Sequence, residues 1–457
     1  MTVLLTHGYF IADDAAEQRV MKPYPPLGIL YISAYLAEHG VKNELFDTTF
    51  SSRAALEAHL VRTAPAVVAL YINLMTKISV LGIIRFIRTQ PSLASTRIVL
   101  GGPEVRAHAT ELLEHGADAV VIGEGEATML ELVRTLDAAG VDGLGAVSGI
   151  GYRSSSGEIV LTPERTLLKN IDELPLPNRA GIDIGAYQRA WKERHGKSAI
   201  SVSTMRGCPY TCKWCSRGVY GLTYRRRSPA AVARELKLLV EEYHPDTVWF
   251  VDDVFTISHE WLAEFAAALR REEVSVPYEC ITRADRMNEQ VVQHLQESGC
   301  YRVWIGAESG SQKVIDAMDR RVKVDQVRSM IGLCKARGIE TGTFIMLGYP
   351  GETEQDIEET IRHLKRCSPD HFTITVAYPI KGTEFFEEIE AKMTGPFDWE
   401  TQTDRQREFV RTYPRRYYDF AVRRVVNEMA YHSGGSLVSK SKSVAAKALM
   451  WWVRRAG

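Results

Sequence analysis

Three cysteines near the middle of the chain have the type and spacing of a metal-binding loop. Cys208, Cys212 and Cys215 are separated by three and two residues, and no cysteine precedes Cys208. Thiolates from one short loop can bind three irons of a four-iron cluster and leave the fourth iron open to a small molecule. A zinc ion with a distant fourth ligand, or three unrelated thiols, would also explain this spacing.

The other cysteines and the histidines do not extend this pattern. Four isolated cysteines lie in strand or helix patterns, and we expect them to be buried without a ligand role: Cys280, Cys300, Cys334 and Cys367. Seven cysteines in a chain without a secretory signal do not favour a disulfide framework. None of the 12 histidines stands in an H-x3-H or H-E-x-x-H arrangement, which argues against a separate zinc site.

The composition places the chain among ordinary globular proteins. It has 457 residues, of which 45% are hydrophobic and 25% charged, and this excludes collagen-like and disordered classes. The formal net charge of −1 gives no electrostatic signal for nucleic acid, so we expect no nucleic-acid partner. The sequence opens without a signal-peptide pattern and contains no apolar run of roughly 18 residues. We expect a soluble, cytoplasmic protein.

Residues 1–145 alternate strand and helix patterns and predict an α/β fold with a doubly wound parallel sheet. The strand candidates are short, continuous apolar runs, as expected for strands buried on both faces. Such sheets bind ligands beyond the carboxyl ends of their strands, where glycine lets the backbone approach a large flat ligand. The residues at those ends are His7, Gly8, Asn73, Leu74, Met75, Gly101, Gly102, Pro103, Glu104, Gly123, Glu124, Gly125 and Glu126.

Three further regions follow along the chain. Residues 146–195 predict a linker with a small hairpin, and 196–395 contain a second strand–helix series. Six strand–helix units predict an open, partial (β/α)6 barrel with its site on the carboxyl-terminal rim. Residues 396–457 predict a helical, basic region, because the chain from Arg405 onward has twelve lysines and arginines against three acidic residues.

The cysteine spacing, with Trp214 before the last cysteine, resembles the radical SAM superfamily and in particular its cobalamin-binding subgroup. The resemblance implies that Cys208, Cys212 and Cys215 bind a 4Fe-4S cluster whose open iron binds S-adenosylmethionine (SAM). Electron transfer then splits SAM and forms a 5′-deoxyadenosyl radical. Segments in the order of the family's strand motifs imply that SAM contacts Trp214, Asp252, Asp253, Glu279, Arg283, Glu308, Ser309 and Gly348. The resemblance places the two aspartates near the SAM amino group and pairs Arg283 with the SAM carboxylate.

The amino-terminal half resembles the cobalamin-binding domain of this subgroup. Its GGPEV and GEGE segments match the turns after the fourth and fifth strands of that domain. The D-x-H-x-x-G motif that supplies a histidine to cobalt in other B12 proteins is absent, and His7 does not fit it. Glu104 stands where relatives often carry histidine.

The resemblance implies a cobalamin-dependent C-methyltransferase that acts on an unactivated carbon and takes electrons from a flavodoxin or ferredoxin. The same cofactors would serve a cyclase or ring-rearranging enzyme with a lipid- or tetrapyrrole-like substrate. A tRNA methylthiotransferase would need a second cluster held by cysteines before Cys208, and the sequence has none there. A cobalamin-sensing module is the non-catalytic alternative.

The basic tail has two interpretations. It is either a solvated charged face with one packed helix, or an interfacial helix with Trp451 and Trp452 at the level of lipid headgroups. The second interpretation suits a hydrophobic, anionic substrate and a peripheral contact with the inner face of the membrane.

Overall fold

Two parallel sheets, one in each half of the chain, organise the structure. The computed structural model describes residues 1–456. The strands of the first sheet are β1 (Val3–His7), β2 (Asn43–Phe46), β3 (Val67–Tyr71), β4 (Arg97–Gly101), β5 (Ala119–Val121), β6 (Ile150–Arg153) and β7 (Ile159–Leu161). Its helices are α1 (Ala15–Val20), α2 (Leu27–Glu38), α3 (Arg53–Thr63), α4 (Lys77–Thr89), α5 (Val105–Glu114) and α6 (Glu126–Ala139).

The first sheet has the order β2-β1-β3-β4-β5-β6-β7, and β1 to β5 run parallel. The hairpin β6–β7 joins this sheet in antiparallel orientation, with Val121 opposite Ile150. The sequence predicted the hairpin but placed it in a linker. It joins the sheet because β5 alone would leave a buried three-residue strand with an unpaired edge.

A second sheet forms a partial barrel. The elements of this half of the chain begin with α7 (Ile184–His195), β8 (Ala199–Val202), β9 (Met205–Arg206), β10 (Arg225–Arg226), α8 (Pro229–Tyr243), β11 (Thr247–Phe250), α9 (His259–Arg271) and β12 (Tyr278–Thr282). They continue with α10 (Glu289–Glu297), β13 (Cys300–Glu308), α11 (Gln312–Ala317), α12 (Val324–Ala336), β14 (Glu340–Leu347), α13 (Glu354–Cys367) and β15 (His371–Val376).

The six barrel strands lie in the order β8-β11-β12-β13-β14-β15 and are all parallel. Each strand pairs with the next one along the chain, so the sheet curves without closing between β8 and β15. The predicted fold class, a doubly wound domain followed by a partial (β/α)6 barrel, is confirmed. The four isolated cysteines are buried as expected, in the core between these strands and their outer helices.

The segment between the two sheets binds both of them. The hydroxyl of Tyr187 on α7 donates to Asp47 in the first domain (2.7 Å), and Trp191 Nε1 donates to the carbonyl of Pro23 (2.6 Å). On the barrel side, buried Arg179 donates to Glu235 of α8 (2.7 Å). Residues 146–195 therefore fix the two domains relative to each other rather than acting as a free linker.

The carboxyl-terminal region begins with α14 (Glu384–Ile389) and the short strands β16 (Met393–Thr394) and β17 (Glu408–Phe409), and ends with α15 (Arg415–Gly434) and α16 (Leu437–Ala456). The prediction of a helical region from residue 396 is wrong for 396–414, which crosses back onto the first domain. Lys77 Nζ there donates to the carbonyls of Trp399 (2.8 Å) and Gln402 (2.6 Å), and these backbone contacts replace helical hydrogen bonds.

Helices α15 and α16 form a hairpin against the barrel. Tyr417, Tyr418 and Val425 of α15 and Met450 of α16 are fully buried in the same core as the barrel strands. Among the described residues, no helix has the length and apolar content needed to cross a membrane.

The barrel core contains a cluster of aromatic rings from β11, α9 and β12. Phe265 contacts the rings of Phe250, Trp261 and Tyr278 at centroid distances of 5.9, 5.0 and 6.2 Å. We expect Phe265→Ala to lower the free energy of unfolding by about 3–5 kcal/mol, because it leaves a cavity that the packed rings cannot fill. Urea unfolding followed by tryptophan fluorescence measures this loss. Leu238→Ala, at a half-exposed position on α8, is the control, and an equal effect of both variants would contradict this account.

Candidate active site at the domain interface

The cysteine loop starts from two adjacent strand ends. β9 leads into it and β10 leaves it, and these two strands pair so that Arg206 lies opposite Arg225. The loop between them therefore closes on itself and presents Cys208, Cys212 and Cys215 at the carboxyl end of β8. None of the three is in a disulfide bond. Desolvation within the loop raises the pKa of the partly exposed Cys215 thiol to about 12, so ligand binding must release its proton.

Two buried arginines point at the sulfur of Cys212. Arg283 Nη1 lies 3.4 Å and Arg320 Nη1 3.6 Å from the Cys212 Sγ atom. Positive charge at this position stabilises a thiolate, and it would also offset the negative charge of a thiolate-bound cluster. Three thiols from one loop with two guanidinium groups beside them fit a 4Fe-4S cluster with one open iron. Within residues 1–456, no three Cys, His, Asp or Glu side chains converge on a point where one metal ion could bind.

Arg283 was predicted to bind the SAM carboxylate, and the structure places it beside the loop. Its guanidinium forms a fork with Asp285 (2.9 and 3.2 Å), donates to the carbonyl of Arg320 (2.6 Å) and stacks on the Tyr210 ring at 3.9 Å. These contacts occupy most of its donors. The SAM carboxylate role of Arg283 stays a prediction, whereas its contact with Cys212 is a feature that the sequence did not reveal.

Arg320 is a site residue that the sequence analysis missed. It reaches Cys212 across β13, where Gly306 leaves the room: a Cβ atom there would lie 2.2 Å from Arg320 Nη2. Arg320 also lies 3.7 Å from the Glu308 carboxylate. An arginine in a turn after a short helix carries no sequence pattern that predicts a site residue. Only the glycine at position 306 indicates that a side chain could pass β13 closely enough to reach Cys212.

Glu308 lies at the end of β13 in an unusual backbone conformation. Its φ angle is +60°, and the register between β13 and β14 shifts between Gly306 and Glu308. A left-handed glutamate is strained, and such strain and irregularity often occur at functional sites. Burial raises the pKa of the Glu308 carboxyl, and the nearby guanidinium groups of Arg320 and Arg283 oppose this shift. Glu308 therefore remains a candidate for contact with SAM.

The two neighbouring aspartates at the end of β11 have different environments. Asp252 is buried and accepts hydrogen bonds from the backbone N–H groups of Thr204 (2.7 Å) and Met205 (3.2 Å). Its carboxylate thus positions the entry to the cysteine loop and is not free for SAM, contrary to the prediction. Asp253 is exposed, has no hydrogen-bond partner among the described side chains and lies beside the loop. Partial desolvation and the nearby Asp252 carboxylate raise the pKa of its carboxyl. Asp253 is the better candidate for the SAM amino group.

A large interdomain cavity of about 500 Å³ lies between the first sheet and the barrel. The barrel contributes Val219, Tyr220 and Val251 to its wall. Ten of the residues predicted for cobalamin also line it: His7, Asn73, Met75, Gly101, Gly102, Pro103, Gly123, Glu124, Gly125 and Glu126. The turns after β1, β3, β4 and β5 therefore meet in one place, because parallel strands end at the same edge.

Three predicted cobalamin residues are not among the described residues that line this cavity. Gly8 packs against α4, where an added Cβ would lie 2.9 Å from Val80. Glu104 faces residues 396–414, the segment that crosses back onto the first domain and that we call the strap. Burial and nearby Asp404 raise the pKa of the Glu104 carboxyl to about 7. Leu74 is half-buried outside the cavity wall.

His7 lies in the cavity wall with both ring nitrogens engaged. Its Nε2 atom lies 2.9 Å from Asp47 Oδ1, and its Nδ1 atom lies 2.9 Å from Thr48 Oγ1. Neither nitrogen is free to bind cobalt in this arrangement. The cavity thus fits the expectation of a cobalamin site without a histidine ligand, with backbone turns and apolar side chains forming the cradle.

Glu124 and Glu126 use their carboxylates to bind the cysteine loop. Arg206 donates to Glu124 (2.8 Å) and forms a close ion pair with Glu126, and Arg225 donates to Glu124 (2.8 Å). All these groups are buried or nearly so. Burial opposes ionisation of Glu124, but the hydrogen bonds from Arg206 and Arg225 outweigh it and hold its pKa below the usual value. We call these four residues the interdomain latch.

A second contact brings the same two segments together. The backbone of Gly218 in the cysteine loop lies against Pro103 of the first domain, and a Cβ at Gly218 would lie 2.3 Å from the Pro103 carbonyl oxygen. The predicted cobalamin turns and the predicted cluster loop are therefore in direct contact. Arg206 and Arg225 were not predicted as site residues, although the RGC sequence placed Arg206 beside the first cysteine.

Comparison with known proteins agrees with both halves of the site. The family model of the B12 binding domain matches residues 19–133, and that of the Radical SAM superfamily matches residues 202–364. The chain belongs to the cobalamin-binding radical SAM enzymes. Its cofactors are a 4Fe-4S cluster, SAM and cobalamin, and the purely cobalamin-sensing alternative is set aside because the protein is an enzyme.

Individual relatives of this radical SAM enzyme cover most of its length. It is 29% identical to an uncharacterised methyltransferase of Pyrococcus horikoshii, over 82% of this chain and 80% of that protein. It is 25% identical to the anaerobic magnesium-protoporphyrin IX monomethyl ester cyclase of Rubrivivax gelatinosus, over 88% and 72%. The structure of the radical SAM methyltransferase TsrM from Kitasatospora setae has the same fold, with a TM-score of 0.69, 18% identity, and 85% and 74% coverage.

Two predicted SAM residues of this radical SAM enzyme lie elsewhere, and the predictions for them are wrong. Glu279 is the second residue of β12 and lies at the opposite end of the barrel, where it accepts from Trp304 Nε1 (3.0 Å) and Arg302 (3.3 Å). The Ser309 hydroxyl is fully buried against Thr360 of α13 (3.1 Å). Glu279 stands near the amino end of β12, away from the rim where the site lies, and the chain turns inward after Glu308 and buries Ser309.

Trp214 and Gly348 lie on the side of the loop that faces β14. Trp214 packs against a small core that includes Met346 and Phe385, and the Arg320 guanidinium lies 5.9 Å from its ring. Gly348 follows β14 and donates its N–H to Glu352 (2.6 Å), and a Cβ added there would lie 3.3 Å from the ring of Tyr418. Their contacts with SAM stay predictions.

The cysteine loop generates the first prediction for the site. We expect Cys212→Ala to abolish reductive cleavage of SAM after anaerobic reconstitution, because the cluster would lose one of its three protein ligands. Formation of 5′-deoxyadenosine measures this activity. Cys367→Ala, at a buried cysteine on α13, is the matched control and keeps the activity. SAM cleavage by reconstituted Cys212→Ala would contradict the cluster assignment.

The interdomain latch generates the second prediction for the site. We expect Arg206→Met to cost about 3–5 kcal/mol of stability, because two buried carboxylates lose a partner. The variant also loses cobalamin more readily, since Glu124 and Glu126 belong to a turn that lines the interdomain cavity. Urea unfolding and the cobalamin absorbance that remains after desalting measure both effects. Arg189→Met, which breaks an exposed pair with Asp183, costs less than about 1 kcal/mol. Equal stability and equal cobalamin retention in the two variants would rule out this role.

Proposed function

We propose that this radical SAM enzyme is a C-methyltransferase that methylates an unactivated carbon of a small-molecule or lipid-like substrate. One observation carries the proposal. The interdomain cavity adjoins a smaller cavity of about 210 Å³ beside the cysteine loop, and both are lined by Leu27, Gly28, Tyr220 and Val251. A substrate held between them is within reach of the loop on one side and of the strand-end turns on the other.

The residues of the chain supply binding, orientation and exclusion of water. When bound, the three cofactors supply a hydrogen-abstracting radical and a methyl group for transfer. Cys208, Cys212 and Cys215 would hold the cluster, and the Asp253 carboxylate is placed to accept hydrogen bonds from an ammonium group. The cavity wall is mainly apolar and keeps water from a reactive carbon centre.

An external electron donor is part of the proposal. SAM cleavage requires one electron from outside the protein, and Cys215 is the least buried of the three cysteines. We propose that a flavodoxin or ferredoxin approaches the loop from that side.

Cyclisation is the second candidate function. The similarity to the Rubrivivax cyclase extends over both domains and favours it, whereas the similarity to the Pyrococcus methyltransferase favours methyl transfer. The two reactions differ in what happens to SAM. A methyltransferase of this kind consumes SAM both as methyl donor and as radical source, and a cyclase consumes it as radical source alone.

The products of SAM test this proposal. We expect the enzyme, reconstituted with cluster and hydroxocobalamin and supplied with reductant, to form S-adenosylhomocysteine as well as 5′-deoxyadenosine. When the enzyme is then given SAM with a trideuterated methyl group and an extract of the source cells as the source of substrate, we expect a product that contains the label. Cys208→Ala is the control for adventitious SAM breakdown. Formation of 5′-deoxyadenosine without S-adenosylhomocysteine, in cobalamin-loaded enzyme, would reject methyl transfer and favour cyclisation.

A further inference from the structure

Helix α16 presents an apolar face to solvent, interrupted at Ser441 and Lys442. Side chains at intervals of seven, four and three residues form one stripe along it, and a second stripe repeats the spacing one residue later. The members of the two stripes are Leu437, Val444, Ala448, Trp451 and Val438, Ala445, Leu449, Trp452. The two tryptophans are 55% and 54% exposed, and Leu437 is 76% exposed. We call these eight residues the outer face of α16.

Packing of α16 onto the barrel does not explain the outer face. The residues that do pack lie on the opposite side of the helix, at Ser443, Ala446, Met450 and Val453. Helix α16 is therefore apolar on two sides, whereas a surface helix normally needs one apolar side. Six of the large apolar side chains exposed in the described chain lie on this one helix, and a concentration of this kind marks an interaction surface.

The charges around the outer face are cationic. The described part of α16 contains no acidic residue. Lys440, Lys447 and Arg454 form ion pairs with glutamates of α15 and α13 on the flank of the helix. Lys442 and Arg455 have no carboxylate within 4.0 Å among the described residues, and the same holds for Arg416 and Arg423 on α15.

These unpaired cations lie next to the exposed tryptophans. The Arg455 guanidinium stacks over the Trp451 ring at 3.9 Å, and that of Arg416 lies 6.0 Å from the Trp452 ring. Tryptophan with a flanking cation suits a membrane interface, where the ring lies at headgroup level and the cation meets anionic phosphate. A protein partner with an apolar surface would not require the surplus of positive charge.

We propose that the outer face of α16 docks this enzyme on an anionic phospholipid surface, with the helix lying parallel to the membrane plane. The helix has 20 residues, and its inner side stays packed on the barrel, so the contact is peripheral. Electrostatic attraction brings the cations to the surface, and insertion of the tryptophans at the boundary between headgroups and acyl chains then holds the helix there. This inference does not depend on which reaction the enzyme catalyses.

Vesicle flotation with the full-length, reconstituted enzyme tests the proposal. We expect the enzyme to float with vesicles of phosphatidylcholine and phosphatidylglycerol and to stay at the bottom with phosphatidylcholine alone. Raising the salt concentration from about 0.1 M to about 1 M shortens the screening length from about 10 Å to about 3 Å and weakens the binding. Failure to bind the anionic vesicles at low salt would overturn the proposal.

Variants of the outer face separate its two components. We expect the double variant Trp451→Ala, Trp452→Ala to bind anionic vesicles about tenfold more weakly, and Lys442→Glu with Arg455→Glu to do the same. The matched controls are Leu238→Ser, a half-exposed apolar residue on α8, and Lys42→Glu, an exposed lysine of the first domain. Equal binding by the outer-face variants and their controls would assign vesicle binding to another surface and overturn the proposal.

Two further measurements keep the outcome clear. Formation of 5′-deoxyadenosine in the absence of vesicles stays unchanged in the outer-face variants, because none of these residues lies at the site; this shows that the variants are folded and separates docking from the proposed function. Sedimentation velocity tests for a second copy of the chain on the same face. Self-association that the tryptophan variant abolishes, without any vesicle binding, would replace the membrane with a dimer interface.

Discussion

The buried ion pairs of Arg206 with Glu124 and Glu126 are the interaction on which the arrangement of the site depends. Arg206 stands two residues before the first cysteine, and the two glutamates belong to the turn that lines the interdomain cavity. Buried charges of this kind are costly unless every partner is present, so the two segments are held in one relative position. The latch thereby fixes the distance between the place of radical formation and the predicted cobalamin cradle, which no single domain could fix alone.

Other contacts preserve that geometry from both sides. Asp252 holds the backbone at the entry to the cysteine loop, and Arg283 and Arg320 converge on the sulfur of Cys212. The segment 146–195 and the strap 396–414 connect the two domains at separate places, through Tyr187 and Lys77 among others. Radical chemistry requires such rigidity, because a reactive carbon centre must meet only the intended partner.

The carboxyl-terminal hairpin links this site to the molecular surface. On α15, Tyr418 packs against Gly348 at the end of β14, while α16 covers the same core and exposes its second apolar side. The inner side of the hairpin thus completes the barrel, and the outer side is available for an external contact. Composition alone did not distinguish a packed helix from an interfacial one, and the structure shows that α16 packs on one side and exposes apolar side chains on the other.

The sequence by itself determined the fold class, the three cysteines and the strand-end turns, because these depend on local spacing and on apolar periodicity. It did not determine which side chains meet. Arg320 and Arg225 escaped notice because their partners are distant in sequence, and Glu279 was misplaced because the start of β12 decides at which end of the barrel it lies. Asp252 and Asp253 are adjacent in sequence, yet only the packed loop gives one a structural role and leaves the other free. Which distant charges pair depends on which side chains the packed chain brings together and buries, and burial is a property of the tertiary structure.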